Sequence, residues 1–278
     1  MIGVQHNPLL YRRFARAAEQ PAYQQARDGY EQMREQLAAA RPDVLLVVAN
    51  DHLNQWFMDN MPAFLIGKGR VAQGPFPHET EEFGLPGYRA AGAPDVARAL
   101  LVGGYEQGVD FAFSEEYLLD HAFILPLHFL RPAADLPIVP LFANVMAPPI
   151  PPARRFYEVG AALRAAVEAL PGKVRVAVVA SGHLSVEIGG PRVMRSAPDL
   201  EFDEQLVALV GRGAVDELLA LATPERMLRA GNFTAACLIF LLLVGLARGA
   251  SASRADHVLL DTSSTPFFSW NLHEGAAV

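Results

Sequence analysis

An unbroken aliphatic run, VLLVV at residues 44–48, constrains the fold more than any other feature of the sequence. A strand that is aliphatic throughout, rather than alternately apolar and polar, is typical of a sheet whose two faces are both covered. Residues 135–145 (DLPIVPLFANV) and 173–182 (KVRVAVVASG) also have the composition of strands. These three segments predict the central strands of a buried sheet.

Helical patterns separate these strands. Apolar residues recur at helical spacing in five segments, which are residues 9–40, 93–108, 154–170, 202–221 and 233–247. Strands that alternate with helices predict an α/β fold with a mixed or mostly parallel central sheet covered by helices. No internal repeat or change of composition divides the chain, so we expect a single domain over residues 1–278.

Residues 68–87 fit neither pattern. A second short strand candidate, PAFLIG at residues 62–67, comes directly before them. After it, Gly, Pro and charged residues follow one another without a period. This predicts a long loop or lid, and long loops in compact domains are often functional.

Composition excludes several classes of function. The chain has 278 residues, of which 51% are hydrophobic, and a formal charge of −7. Binding a polyanion requires clustered Lys and Arg, which this chain does not concentrate, so nucleic acid is not an expected partner. The single cysteine, Cys237, cannot form an internal disulfide, which fits a reducing compartment. The sequence begins without a signal-peptide pattern, and its longest apolar run, residues 235–247, is too short to cross a bilayer. We therefore expect no membrane partner and a cytoplasmic location.

Four histidines follow apolar segments. His6 follows MIGVQ, His52 follows VLLVVAND, His121 follows EEYLLD and His183 follows VRVAVVASG. Sites in open α/β sheets are assembled at the ends of the strands, so these four positions predict a site. Imidazole suits Fe, Zn, Cu and Ni, and two histidines with one carboxylate are usual for non-haem Fe(II) oxygen chemistry. The remaining histidines are interpreted as surface or packing residues: His78, His128, His257 and His273.

Four segments of the chain occur in the order and approximate spacing found in one enzyme family. They are QHNPLL, PDVLLVVANDHLNQWFMDNMPAFLIG, YLLDHAFILPL and VVASGHLSVEIGGPR. Over residues 3–268 the chain resembles the LigB-type class III extradiol ring-cleavage dioxygenases. The resemblance implies Fe(II) as cofactor and a small, catechol-like aromatic substrate together with O2. It also implies a homo-oligomer, or a hetero-oligomer with a related chain.

The resemblance implies two metal ligands. The family holds Fe(II) with a histidine near the N-terminus, with the histidine of the NDH motif and with a glutamate from a late helix. The first two correspond to His6 and His52. Asn50 and Asp51 precede His52 and are interpreted as groups that orient it. The substrate-binding residues are unknown, and three arginines remain candidates for pairing with a substrate carboxylate: Arg70, Arg89 and Arg192.

Two positions depart from the family's pattern. Alignment of the glutamate's segment with AGNFTAACLIFLLLVG places Ala236 where the ligand carboxylate stands, and residues 230–250 contain no acidic residue. The family's catalytic histidine ends a Gly-Gly-(Leu/Met)-Ser-His pattern, whereas this chain has Val186 there and His183 at the second glycine. His121 matches a further active-site histidine of the family. His121 and His183 are therefore the candidates for acid–base catalysis.

These departures leave three functions open. The chain is a dioxygenase whose coordination is completed by water, by substrate or by a side chain such as Glu187 or His183. Alternatively, it is a non-catalytic paralogue or partner subunit, or it uses another metal in a different reaction. Loss of the carboxylate favours nitrogen-rich coordination. A purely structural chain has no need to bury four imidazoles, which costs desolvation unless each is hydrogen-bonded or metallated. We therefore expect an Fe(II)-dependent dioxygenase.

Overall fold

The computed structural model describes residues 1–189, 198–261 and 263–272. The strands are β1 (Ile2–Gln5), β2 (Val44–Ala49), β3 (Phe64–Gly67), β4 (Val71–Gly74), β5 (Tyr88–Ala91), β6 (Ala112–Ser114), β7 (Ile138–Ala143), β8 (Val176–Gly182), β9 (Arg254–Leu259) and β10 (Ser264–Ser269). The helices are α1 (Leu10–Phe14), α2 (Pro21–Ala40), α3 (Pro77–Phe83), α4 (Pro94–Glu106), α5 (His121–Leu130), α6 (Ala153–Glu168), α7 (Leu200–Arg212), α8 (Val215–Leu221), α9 (Pro224–Ala230) and α10 (Leu238–Leu246). Two short 3₁₀ turns are Ala17–Glu19 and Thr234–Cys237.

Eight of the strands form one mixed sheet in the order β6-β3-β7-β2-β8-β1-β10-β9. The neighbouring strands β7, β2, β8 and β1 are parallel to one another, while β3 and β10 pair antiparallel with the ends of this group. The predicted α/β fold class is therefore confirmed. Because β1, β8 and β2 are parallel neighbours, their carboxyl ends meet at one edge of the sheet.

The aliphatic run in β2 is buried on both faces, as its composition predicts. Leu46 and Val48 face a core that α4, α6, α7 and α10 cover. Leu45 and Val47 face the opposite core, which α2 and α5 complete. Side chains alternate between the faces of a strand, so a strand between two helical layers needs apolar residues at every position.

Helix α10 lies inside the first of these cores, and each of its residues is buried. Among the described residues, no single helix combines the length and the apolar composition that crossing a bilayer requires. The segments Pro224–Ala230 and Thr234–Leu246 reach that length and composition only together, with a bend of 115° between them.

The prediction of an irregular loop at residues 68–87 is wrong. This segment contains β4 and α3 and leads into β5, which pairs antiparallel with β4. Four-residue strands and a seven-residue helix are too short to show a period in the sequence. Helix α3 begins with Pro77. Glu79 caps its N-terminus, because Glu79 Oε2 accepts the backbone N–H of Phe76 at 3.1 Å. This carboxylate is also part of the site described below.

The predicted strand end before His121 is also wrong, because His121 is the first residue of α5. Asp120 caps this helix, and its Oδ1 accepts the backbone N–H of Ala122 at 2.9 Å. The helix is buried almost throughout and contains Pro126, so its apolar residues show no amphipathic period. The C-terminal strands β9 and β10 were not predicted either.

Two glycines allow α6 and α10 to pack closely. A Cβ on Gly160 would lie 2.1 Å from the carbonyl oxygen of Leu242, and one on Gly245 would lie 2.1 Å from that of Tyr157. Backbone atoms cannot move aside as a flexible side chain can, so we expect Gly245→Ala to lower the free energy of unfolding by about 1–3 kcal/mol. Urea unfolding measures this, with Gly87→Ala as the control because a Cβ there meets nothing within 4 Å. Equal stabilities of the two variants would contradict the close packing.

Candidate functional site

The four histidines selected from the sequence lie together at the carboxyl edge of the sheet. The ring centroid of His6 is 4.2 Å from that of His183, 5.3 Å from that of His52 and 5.8 Å from that of His121. The rings of His52 and His121 are stacked with centroids 4.0 Å apart. One ring nitrogen each from His6, His52 and His121 lies within 4.8 Å of the others, whereas His183 lies outside this set.

The parallel strands explain how three of these residues meet. His6 directly follows β1, His183 directly follows β8, and His52 is the third residue after β2. The fourth, His121, reaches the same edge from the N-terminus of α5. Residues distant in sequence thereby share one buried site.

Asp51 shapes the loop that follows His52. Its Oδ2 accepts the backbone N–H groups of Asn54, Gln55 and Trp56 at 2.9, 3.2 and 3.2 Å. Burial, and then the nearby charge of Asp120, raise the pKa of Asp51 to about 6. The side chain of Asp51 thus holds the turn in place, and we find its contacts there rather than on the imidazole of His52.

Two side chains lie within hydrogen-bond distance of the His52 ring nitrogens, those of Asn50 and Asp120. Asn50 places its Nδ2 3.3 Å from His52 Nε2. Asp120 uses one oxygen, Oδ2, to accept both the backbone N–H of His52 at 2.9 Å and its ring Nδ1–H at 2.8 Å. Sequence reasoning missed Asp120, although an Asp directly before an apolar run is a helix N-cap signal.

Glu79 holds His121 in the same way. Its Oε1 lies 3.1 Å from the backbone nitrogen of His121 and 2.5 Å from the ring Nδ1. Glu79 is buried, and this desolvation raises the pKa of its carboxyl group. Sequence reasoning missed Glu79 because it belongs to the segment that was interpreted as an irregular loop.

His6 and His183 differ in the hydrogen-bond partners of their ring nitrogens. His6 Nδ1 is 2.9 Å from Ser181 Oγ, while its buried Nε2 has no hydrogen-bond partner among the described residues. His183 Nδ1 is also buried and also lacks a partner within the described part of the chain. Two unpaired, buried imidazole nitrogens are costly unless a metal or a substrate contacts them.

Three of the four imidazoles, those of His6, His121 and His183, are neutral at physiological pH. Burial, reinforced by the neighbouring histidines, lowers the pKa of His6 well below its usual value. Burial, and then the nearby imidazole of His52, lower the pKa of His121 and of His183 to about 3. Neutral imidazole is the form that binds metal ions, and a hydrogen bond from the other ring nitrogen fixes the ligating one. The donor set therefore fits a divalent transition metal.

Ala236, the residue aligned with the family's ligand carboxylate, lies beside the strand end that carries His183. It lies fully buried in the 3₁₀ turn, with its carbonyl oxygen 2.5 Å from where a Cβ on Gly182 would stand. In the same turn region, the ring of Phe233 is centred 5.5 Å from that of His52 and 5.7 Å from that of His183. This side of the site is apolar.

Val186 and Glu187 are held by the same region of the chain. The backbone N–H of Val186 donates to Thr234 Oγ1 at 3.2 Å, and Glu187 Oε2 accepts the backbone N–H of Asn232 at 2.9 Å. Among the described residues, Glu187 is not part of a group with metal-binding spacing. The structure thus gives no support to Glu187 as the ligand that completes the coordination.

The other sequence candidates lie away from the cluster or outside the described residues. Arg70 and Arg89 are exposed, and Arg89 donates to Gln73 Oε1. The Nε2 of His128 lies 2.9 Å from the carbonyl oxygen of Pro86. Arg192 and His273 fall outside the described residues.

Asp203 supports the backbone beside His183. Its Oδ1 accepts the backbone N–H of Ser185 at 2.7 Å, and burial raises the pKa of this carboxyl group. The native state therefore holds the Asp203 proton more tightly than the unfolded state does. The free energy of unfolding consequently falls as pH rises from the unfolded-state pKa through the raised native pKa.

We expect Asp203→Asn to remove this pH dependence. Urea unfolding at about pH 4 and about pH 8 measures it, and the variant should gain stability relative to the parent protein at the higher pH. Parallel pH profiles for the two proteins would contradict the raised pKa of Asp203.

Comparison with known proteins gives three findings. A family model described as the catalytic LigB subunit of aromatic ring-opening dioxygenase matches residues 1–271. The 2,3-dihydroxyphenylpropionate/2,3-dihydroxicinnamic acid 1,2-dioxygenases of Escherichia coli strain K12 and of Escherichia coli O157:H7 are each 32% identical over 164 residues, which are 59% of this chain and 49% of the relative. The chain thus spans about half the length of the curated relatives it matches. The crystal structure of uncharacterized protein JW3007 from Escherichia coli K12 has a TM-score of 0.62 and 17% identity, covers 97% of this chain and 98% of its own, and shows a similar fold.

Proposed function

We propose, because the chain belongs to the LigB family of aromatic ring-opening dioxygenases, that it opens the ring of a catechol-like compound with O2. The observation that carries the proposal is the meeting of four histidines at the carboxyl edge of the parallel strands, three of which, His6, His121 and His183, are buried and neutral. The extradiol position of cleavage and the use of Fe(II) are part of the proposal. Both are supported by the family and by a donor set of imidazoles.

His6 and His52 are the residues that hold the metal in this proposal. Ser181 contacts Nδ1 of His6 and Asp120 contacts Nδ1 of His52, so Nε2 is the nitrogen of each ring that would bind the metal. On His52 the metal would replace the contact with Asn50 Nδ2. A bound Fe(II) supplies the redox chemistry by which O2 reacts with an electron-rich ring.

His183 is the proton carrier in this proposal. It is neutral, and its buried Nδ1 has no hydrogen-bond partner among the described residues, so a phenolic O–H of the substrate can donate to it. The resulting imidazolium can return the proton later in the reaction. Phe233, beside His183 and His52, keeps this side of the site apolar and offers a face for an aromatic ring.

A non-catalytic role gives no physical reason for this cluster. Burial beside one another lowers the pKa of His6, His121 and His183 and leaves two ring nitrogens unpaired among the described residues. Apolar side chains of similar size would pack at the same place without this cost. The cluster therefore favours a functional site.

Metal analysis tests the proposal. We expect purified protein to contain stoichiometric iron, and His52→Ala to lose it, because one of the ligands is removed. His128→Ala is the matched control, since His128 lies outside the cluster and its ring nitrogen contacts the carbonyl oxygen of Pro86.

Oxygen uptake with a panel of substituted catechols then tests ring opening and identifies the accepted substituents. A parent protein that stays metal-free after anaerobic Fe(II) reconstitution would overturn the dioxygenase proposal. Full iron with no oxygen uptake on any catechol, under conditions where a known dioxygenase is active, would point to a different metal-dependent reaction.

A further inference from the structure

We infer that His121 is the third metal ligand, so that three histidines, His6, His52 and His121, form the complete protein ligand set. In this arrangement Glu79 supplies, from behind His121, the negative charge that a ligand carboxylate supplies in the resembled family. The inference rests on the proposed function in that it concerns the same site, and it moves His121 from the acid–base candidates to the ligands.

The first argument is the position of the ring nitrogens. His6, His52 and His121 each offer one nitrogen within 4.8 Å of the others, a spacing that one ion can bridge. The rings of His52 and His121 are stacked, with centroids 4.0 Å apart and an angle of 24° between their planes, so the two imidazoles lie side by side at the site.

The second argument is a repeated hydrogen-bond pattern. One oxygen of Asp120 accepts both the backbone N–H and the Nδ1–H of His52. One oxygen of Glu79 accepts the same two groups of His121. Each carboxylate thereby favours the Nδ1–H tautomer, which puts the lone pair on Nε2, the state in which a metal-binding histidine is normally held. On His52 this lone pair faces the amide of Asn50 at 3.3 Å, a contact that a bound metal would replace. An arrangement that prepares His52 as a ligand prepares His121 equally.

The third argument separates His121 from His183. His6, His52 and His121 each have a side-chain oxygen on Nδ1, whereas His183 Nδ1 has no partner among the described residues. A ring that must exchange a proton with substrate needs a nitrogen free of such a partner. The four histidines thus divide into three supported ligands and one proton carrier.

The fourth argument is the charge balance. Asp120 and Glu79 are buried, and within the described part of the chain neither is paired with a Lys or Arg. Buried carboxylates are costly without a cation nearby. Three neutral imidazoles leave the double positive charge of a divalent ion uncompensated, and two carboxylates behind them provide the compensation. Asp120 and Glu79, which contact the ligands and not the metal itself, thus supply the negative charge that is absent at Ala236.

Titration of the metal-free protein with Co(II) tests the inference without requiring turnover. We expect His121→Ala to weaken Co(II) binding by more than about 100-fold, and Glu79→Gln by about 10–100-fold. His183→Ala is the matched control, because it removes a histidine of the same cluster that the inference does not assign to the metal, and its Kd should stay within about threefold of the parent value. Circular dichroism confirms that each variant is folded.

A measurement on the unmodified protein tests the inference independently of whether the variants fold. In the Co(II) protein, each ligating imidazole with a protonated Nδ1 gives one strongly shifted, solvent-exchangeable proton NMR signal. Three such signals are expected, and two would overturn the inference.

The outcomes also separate this inference from the proposed function. Parent-like Co(II) affinity in His121→Ala would overturn the third ligand and leave a dioxygenase with two histidine ligands. Three ligating histidines without ring opening of any catechol would support the inference and overturn the proposed function. A parent protein that does not bind Co(II) would overturn the inference directly.

Discussion

Replacing His183 with glutamine is expected to lower kcat for ring opening by about 10²–10⁴-fold, the usual contribution of a positioned acid–base group. Glutamine keeps a polar side chain of similar reach but cannot accept and return a proton. The metal content should be unchanged, because His183 lies outside the set of three histidines with metal-binding spacing. Oxygen uptake and metal analysis on the same preparation measure both quantities.

His128→Gln is the matched control for this substitution. It makes the same chemical change at a histidine whose ring nitrogen contacts the carbonyl oxygen of Pro86, away from the cluster, so kcat should stay close to the parent value. Loss of iron from His183→Gln would instead make His183 a ligand, and an unchanged kcat would exclude it from proton transfer.

The central strands were predictable because the local composition of each strand indicates that it is buried. The aliphatic run of β2 needs apolar residues on both faces, and the structure places it between two cores. The segment at residues 68–87 was not predictable in this way. Its elements are short, and they are stabilised by contacts with distant residues, such as that between Glu79 and His121, which are 42 positions apart.

The histidines of the candidate site were predictable from the sequence. The ends of β1, β2 and β8 carry His6, His52 and His183, and parallel strands bring such ends together. The supporting carboxylates were not predictable, since Asp120 is 68 positions from His52 and no local pattern links the two. Which nitrogen of each ring faces the site follows from those partners. The division into ligands and proton carrier therefore required the structure.

Asp120 connects the stability of the fold with the proposed metal site. It is fully buried, its Oδ1 caps α5 through Ala122, and its Oδ2 holds both the backbone and the ring of His52. A single side chain thus satisfies a helix terminus and fixes a ligand of the proposed metal. This double role makes Asp120 a position where one substitution has two measurable effects.

Asp120→Ala is expected to lower the free energy of unfolding of the metal-free protein by about 1–3 kcal/mol, because it leaves the buried N–H groups of His52 and Ala122 without their acceptor. It should also weaken metal binding by about 10–100-fold, because the ring of His52 loses its orienting partner. Urea unfolding in the presence of a chelator measures the first effect, and Co(II) titration measures the second.

Thr223→Ala separates the loss of a helix cap from the loss of the contact with His52. Thr223 caps α9, where its Oγ1 accepts the backbone N–H of Arg226 at 3.2 Å. Within the described part of the chain, no hydrogen bond joins its side chain to the four histidines of the cluster. This control should cost about 1 kcal/mol and leave metal affinity unchanged. If Asp120→Ala cost no more than Thr223→Ala and bound Co(II) as tightly as the parent protein, Asp120 would be a helix cap alone, and the orientation of His52 would have to come from Asn50.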